Sequence, residues 1–102
     1  MIKTIARCLL VTDGGTLRTD KLVWVRLARV KPPPMKTPGG EWAKRTLESI
    51  VLYKDIFYEP VTFDESGRIV AEVWVGGTNV NDQMIRHGNR WQSTRETKSP
   101  SW

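Results

Sequence analysis

Apolar and polar residues alternate along much of the first third of this 102-residue chain, and the alternation predicts strands. Thr4 to Val11 is one, rich in apolar and β-compatible residues. Thr12-Asp13-Gly14-Gly15 follows as a hairpin turn, with Asp-Gly expected to supply the positive φ of a tight reversal. Thr16 to Thr19 begins the return strand, and Asp20-Lys21 makes a second polar turn. From Leu22 to Val30 the residues Val23, Val25 and Leu27 alternate with Trp24, Arg26 and Ala28, which predicts a strand partly buried on both faces.

The period then changes. Lys31 to Gly40 contains three consecutive prolines and reads as a stiff, extended loop. Glu41 to Tyr53 carries Ala43, Leu47, Ile50 and Val51 as one apolar stripe at helical spacing, with Lys44, Arg45 and Glu48 off it. Glu41 suits the dipole of the first turn. Ile56 to Phe63 is a strand interrupted at Pro60, where an edge or a bulge is expected. Asp64-Glu65-Ser66-Gly67 is a turn, Arg68 to Val75 a strand, and Gly76-Gly77 its end. Thr78 or Asn79 can cap a short helix from Val80 to about His87, with Val80, Met84 and Ile85 inward and Gly88 as the stop. His87 then lies near a helix C-terminus. Gln92 to Trp102 is polar and aperiodic. The expected organisation is one domain over 1–91 and a tail over 92–102.

Three strands, a helix, two strands and a helix give an α+β chain, mainly β. A helix between the third and fourth of five strands is the layout of an oligonucleotide/oligosaccharide-binding (OB) barrel. Trp24, Trp42 and Trp74 lie in periodic segments and are expected in the core. Trp91 and Trp102 are expected to be partly exposed. Tyr53, Phe57 and Tyr58 are read as core and barrel residues. Cys8 is the only cysteine and is read as a small core residue. With one cysteine and one histidine, a zinc site lacks its ligands.

Charge narrows the partners. Sixteen Lys and Arg against eleven Asp and Glu give a formal net charge of +5, which draws polyanions, nucleic acid before anionic membrane. Arg86, Arg90, Arg95 and Lys98 make the C-terminal region basic. No apolar run approaches the roughly 20 residues of a membrane span. The run Cys8 to Val11 is too short for a secretory core, so no signal peptide, no membrane and a cytoplasmic location are expected.

Five blocks, in order, resemble the staphylococcal nuclease (thermonuclease) family. Val11 to Leu17 looks like its Asp-Gly-Asp-Thr hairpin. Val25 to Pro34 looks like its strand ending in Asp-Thr/Ala-Pro-Glu. Pro38 to Ala43 matches the start of its first helix, Asp64 to Ala71 its Asp-x-Tyr-Gly-Arg turn and following strand, and Val80 to Gly88 its second helix. The resemblance implies an OB barrel, hydrolysis of DNA and RNA phosphodiesters, and Ca²⁺ held by two aspartates. It also implies a glutamate as base or water-orienting group and two arginines on the phosphate.

Carried over position by position, the arginines are kept as Arg26 and Arg68, and Asp13 is kept at the head of the hairpin motif. The metal aspartates fall on Gly15 and Lys31, the neighbouring carbonyl donor on Pro32, and the glutamate on Pro34. No carboxylate lies between Asp20 and Glu41. The expectation is therefore a barrel with a degenerate site, without bound metal or other cofactor. It would bind DNA, RNA or another phosphate ligand through Arg26, Arg68 and Lys31. The alternatives are a divergent metal-dependent hydrolase using Asp13 or Glu41, and a protein-interaction domain in which Arg26 pairs with Glu41 or Asp64 and Arg68 braces its turn. The family's third helix is expected to be missing or truncated, since the chain ends about eleven residues after Trp91.

Overall fold

The computed structural model describes residues 3–88. The elements are β1 (Thr4–Asp13), β2 (Thr16–Thr19), β3 (Trp24–Leu27), α1 (Pro38–Val51), β4 (Asp55–Phe63), β5 (Ile69–Val75), β6 (Thr78–Asn79) and α2 (residues 80–88). The sheet runs β3-β2-β1-β4-β5-β6, and β3 also pairs in parallel with β5. That last pairing closes β1 to β5 into a five-stranded mixed barrel, an OB fold. The two-residue β6 is an added hairpin on β5, which the sequence pattern had not distinguished from the helix cap. The tail, Trp91, Trp102 and the missing-helix expectation lie outside the described residues.

Side chains facing the barrel interior come from alternate positions: Ala6 and Cys8 on β1, Val25 and Leu27 on β3, Ile56 and Tyr58 on β4, Ala71 and Val73 on β5. Leu17 joins them from β2. Ala43, Leu47 and Val51 of α1, with Ile50 partly buried beside them, and Val80 and Met84 of α2 pack into the same core. Burial pushes the Cys8 thiol up to about 11, opposed by its hydrogen bond to the Leu10 carbonyl.

Local chemistry moved several boundaries. Helix α1 starts at Pro38, three residues before the apolar stripe predicts. Thr37 is extended (φ −113°, ψ 157°), its hydroxyl accepts from the Gly40 N–H at 3.1 Å, and proline is pre-set for the first helical position. Gly40 packs under the Pro34 carbonyl so closely that a Cβ there would collide with it. Strand β3 is shorter than the alternation predicts because both flanks leave extended geometry, with Leu22 (φ 63°) before it and Arg29 (φ 68°) after it. Gly14 and Gly15 do not supply positive φ to the hairpin; among the described glycines that conformation belongs to Gly67, Gly76 and Gly77. The first hairpin needs glycine for close approach instead, since a Cβ on Gly14 would lie 2.6 Å from Cβ of Ala43. The register shift between Pro60 and Thr62 is the expected irregularity at Pro60.

The aromatic residues are the main correction. Trp42 is 46% exposed and Trp24 and Trp74 are half-buried, so none of the three is in the core. Of Tyr53, Phe57 and Tyr58 only Tyr58 is buried; Tyr53 is 65% exposed. Tyr53 follows the helix at φ 61°, which turns it outward, and Phe57 faces away from the interior on β4, between Ile56 and Tyr58. Asn79, by contrast, caps α2 as expected: its side-chain oxygen accepts from the Asp82 N–H at 2.7 Å.

One buried polar residue ties the closure together. Asn81, fully buried in α2, accepts from the Val73 N–H (2.9 Å) and donates to the carbonyls of Ala28 (2.9 Å) and Ala71 (3.0 Å). Asn81→Leu keeps the volume but leaves buried backbone groups without partners, and destabilises the fold by about 3 kcal/mol or more. Urea denaturation checks this, and an effect below about 1 kcal/mol contradicts the clamp role.

Candidate phosphate-binding face

The hairpin β1–β2 and the proline loop meet as the resemblance requires. A Cβ on Gly15 would lie 3.2 Å from Cγ and Cδ of Pro32 and 3.7 Å from Oδ1 of Asp13. Asp13, Gly15 and Pro32 are therefore neighbours. The Asp13 carboxylate accepts from the Gly15 N–H at 2.7 Å, a local turn bond that holds it against its own hairpin. The pyrrolidine ring of Pro32 occupies the space into which a longer side chain at position 15 would project. Lys31 and Pro34 are exposed on the same loop. The Pro34 carbonyl accepts from the Thr37 hydroxyl at 2.7 Å, so the end of the loop is fastened to the cap of α1. Glu41 is exposed in the first turn of α1.

The two arginines come together through the barrel closure. Arg26 is level with Thr16 on β2 and with Val70 on β5. Its neighbours Val25 and Leu27 point inward, so Arg26 projects from the outer face. Arg68 immediately precedes β5, two residues before Val70. The Cα atoms of Arg26 and Arg68 are roughly 8 Å apart by strand geometry. Among the described residues Arg26 forms no ion pair, so the pairing with Glu41 or Asp64 is not found. Arg68 is the residue that Asp64 holds: its Nε donates to Asp64 Oδ2 at 2.7 Å and its N–H to Oδ1 at 2.9 Å. Partial desolvation works against the Asp64 charge, but the bonds from Arg68 and Ser66 outweigh it and hold the carboxyl below its usual range. The bond to Asp64 uses Nε and holds the guanidinium from that side.

Two features of this face were missed in the sequence. Arg18 lies over the Trp24 ring, 5.4 Å from its centroid, as cross-strand partners on β2 and β3. The β3–β5 register, continued by one residue, brings Trp24 level with Arg68. The two residues are six apart on different strands, so only the β2–β3 register brings them together. The second is Arg29, which donates from Nε and Nη2 to both Glu72 carboxylate oxygens (2.9 and 2.7 Å) and from Nη2 to Asp82 (3.0 Å). Arg29 and its partners are 43 and 53 residues apart, so local pattern carried no sign of them. The Arg29 bonds, helped by Asn79 Nδ2, hold the Glu72 carboxyl below its usual range despite partial desolvation.

The closed five-stranded barrel defines an OB-fold module. The description "Staphylococcal nuclease homologue" matches residues 21–101, and the chain belongs to that family. A protein of Escherichia coli described as an uncharacterized endonuclease is 33% identical over 89 residues, covering 83% of this chain and 58% of that protein. A Haemophilus influenzae protein with the same description is 28% identical over 102 residues, covering 96% of this chain and 57% of its own. Protein ParB of Escherichia coli is 29% identical over 93 residues, covering 79% and 52%. The chain thus spans a little over half the length of these relatives. No described helix is long and apolar enough to cross a membrane.

Two outcomes test this geometry. Glu72 is depressed in the folded state, so its contribution is complete above the unfolded carboxylate range and is lost as pH falls through its lowered folded value. Glu72→Gln is less stable at neutral pH and shows a flatter loss toward acid, read by urea unfolding across that pH range. Gly15→Ala crowds Pro32 and destabilises by about 1 kcal/mol, and Pro32→Ala in the same chain relieves it. An additive pair of effects contradicts the contact.

Proposed function

We propose that this domain binds nucleic acid through its phosphodiester backbone, at Arg26 and Arg68 with Lys31 beside them, and does so without metal-dependent hydrolysis. The observation that carries this reading is the Pro32 ring packed against Gly15. Ca²⁺ takes six to eight oxygen ligands, with carboxylates supplying the charge. Here position 15 has no side chain, position 31 brings an ammonium, and position 34 brings a ring without an acceptor. The Asp13 carboxylate is engaged by the Gly15 N–H. This donor set does not fit the family's ion, and the same substitutions leave no side-chain base at the position of its glutamate.

The arginines fit a narrower task. Two guanidinium groups on adjacent strands supply charge-assisted donors to one phosphate, and the bond from Asp64 orients one of them in advance. Lys31 adds a mobile cation on the neighbouring loop. Binding of this kind reads the backbone and not the base sequence, and it weakens with salt as counterions are released.

The Arg68–Asp64 lock also favours a second reading, in which Arg68 braces the β4–β5 turn and the face meets a protein. A divergent hydrolase built on Asp13 or Glu41 is the third. End-labelled single-stranded DNA and RNA, incubated with Ca²⁺, Mg²⁺ or Mn²⁺ and with chelator, separates all three. The binding module gives no cleavage and a gel shift at low salt. Arg26→Ala lowers affinity and reduces the slope of log K against log salt by about one. Metal-dependent cleavage that is lost in Arg68→Ala overturns the reading in favour of the hydrolase. No cleavage and no shift overturns it in favour of the protein partner.

A further inference from the structure

Away from the arginine face, the outer surfaces of β4 and β5 form a cleft of about 330 Å³ lined by Lys3, Phe57, Trp74 and Gly77. Phe57 and Trp74 are direct cross-strand partners, and the same row continues to Ile5 on β1 and Asn79 on β6. Phe57 is 42% exposed although it is aromatic and sits mid-strand. Lys3 Nζ stands 4.1 Å from the centroid of the Trp74 ring, and no carboxylate among the described residues pairs with it. Gly77, at φ 83°, has open space where a Cβ would be.

We propose that this cleft is a slot for one nucleotide, with the base laid against Phe57 and Trp74 and its phosphate drawn to Lys3. Three properties select that ligand class. Two aromatic side chains side by side offer a surface for a planar ring, and stacking of a base on an aromatic side chain is sequence-tolerant. The single cation on a flexible stem supplies the charge for one phosphate. The volume lies at the lower end of small-ligand pockets, which suits a mononucleotide and not a folded element of a partner protein. In the free protein the ammonium rests on the Trp74 ring. An exposed cation–π contact is weaker than base stacking, so an arriving base takes the ring and Lys3 swings to the phosphate.

The choice of a nucleotide rests on the nucleic-acid reading above, but the cleft does not involve Arg26 or Arg68. From Arg68 to Trp74 is six residues along one strand, about 20 Å. A single strand of a few nucleotides held at the arginines reaches this slot with a later base, which would make the domain a two-point reader of single-stranded nucleic acid.

The test is an NMR titration of the full chain with adenosine 5′-monophosphate, adenosine and inorganic phosphate, following the Trp74 indole N–H and the Phe57 ring. The nucleotide moves both signals saturably, and phosphate alone does not move Phe57. Lys3→Ala raises the nucleotide Kd about three- to fivefold and does not raise the adenosine Kd. Phe57→Ala, a surface change, abolishes the saturable shift at Trp74. No saturable shift at Phe57 and Trp74 in the millimolar range overturns the slot, as does an equal response to phosphate and nucleotide. Salt-dependent oligonucleotide binding by Arg26→Ala reads the other site separately. Nucleotide shifts without Arg26-dependent binding overturn the arginine reading and uphold the slot, and the converse overturns the slot alone.

Discussion

The parallel pairing of β3 with β5 is the constraint on which the rest depends, and Asn81 is what secures it. The pairing is short, from Val25–Ile69 to Leu27–Ala71. Just beyond it the chain turns through Arg29 at positive φ, and the Ala28 carbonyl and the Val73 N–H need a partner inside the molecule. Asn81 reaches from α2 into that gap and bonds to β5 and to the residue that follows β3. A buried amide that makes all three of its bonds to backbone is specific in a way that apolar packing is not, because a shift of one residue in register breaks every bond together. The same closure puts Arg26 beside Val70 and so brings Arg68 within reach of it. The cationic face is a product of the barrel's seam.

Charge in this domain is sorted by commitment. Asp13 is bound to its own hairpin, Asp64 to Arg68, Glu72 and Asp82 to Arg29, and Asp55 to Arg7. Many of the acids thus neutralise a particular base or cap a particular turn. Arg26 and Lys31 have no such partner among the described residues. The net charge of +5 over the whole chain favours anions in general, and a cation without a carboxylate partner is the more available to one. The Arg29 network also explains how a non-glycine residue keeps a left-handed conformation, since three side-chain bonds hold the turn that its backbone alone would avoid.

The sequence revealed most about features whose causes are local. The stripe through Ala43, Leu47 and Val51, the irregularity at Pro60 and the Asn79 cap all follow from residues within one or two turns of one another. The start of α1 was missed because the apolar stripe begins after the cap, and Thr37-Pro38 was the better signal. Exposure of Trp42, Tyr53 and Phe57 was not legible, because periodicity separates the two faces of an element without saying whether anything covers the outer one. The neighbourhood of Asp13, Gly15 and Pro32 was legible only through the resemblance to a known family, which aligned two distant segments. The contacts of Arg29 with Glu72 and of Lys3 with Trp74 had no such guide, since each joins elements from opposite parts of the chain.

The packing of Pro32 on Gly15 couples two positions that lie far apart in the chain. A side chain at 15 needs space that the ring at 32 fills, while removal of the ring alone leaves a void beside the hairpin. Substitutions at the two positions are therefore not independent, and the loop can be redesigned only by treating the pair as one unit.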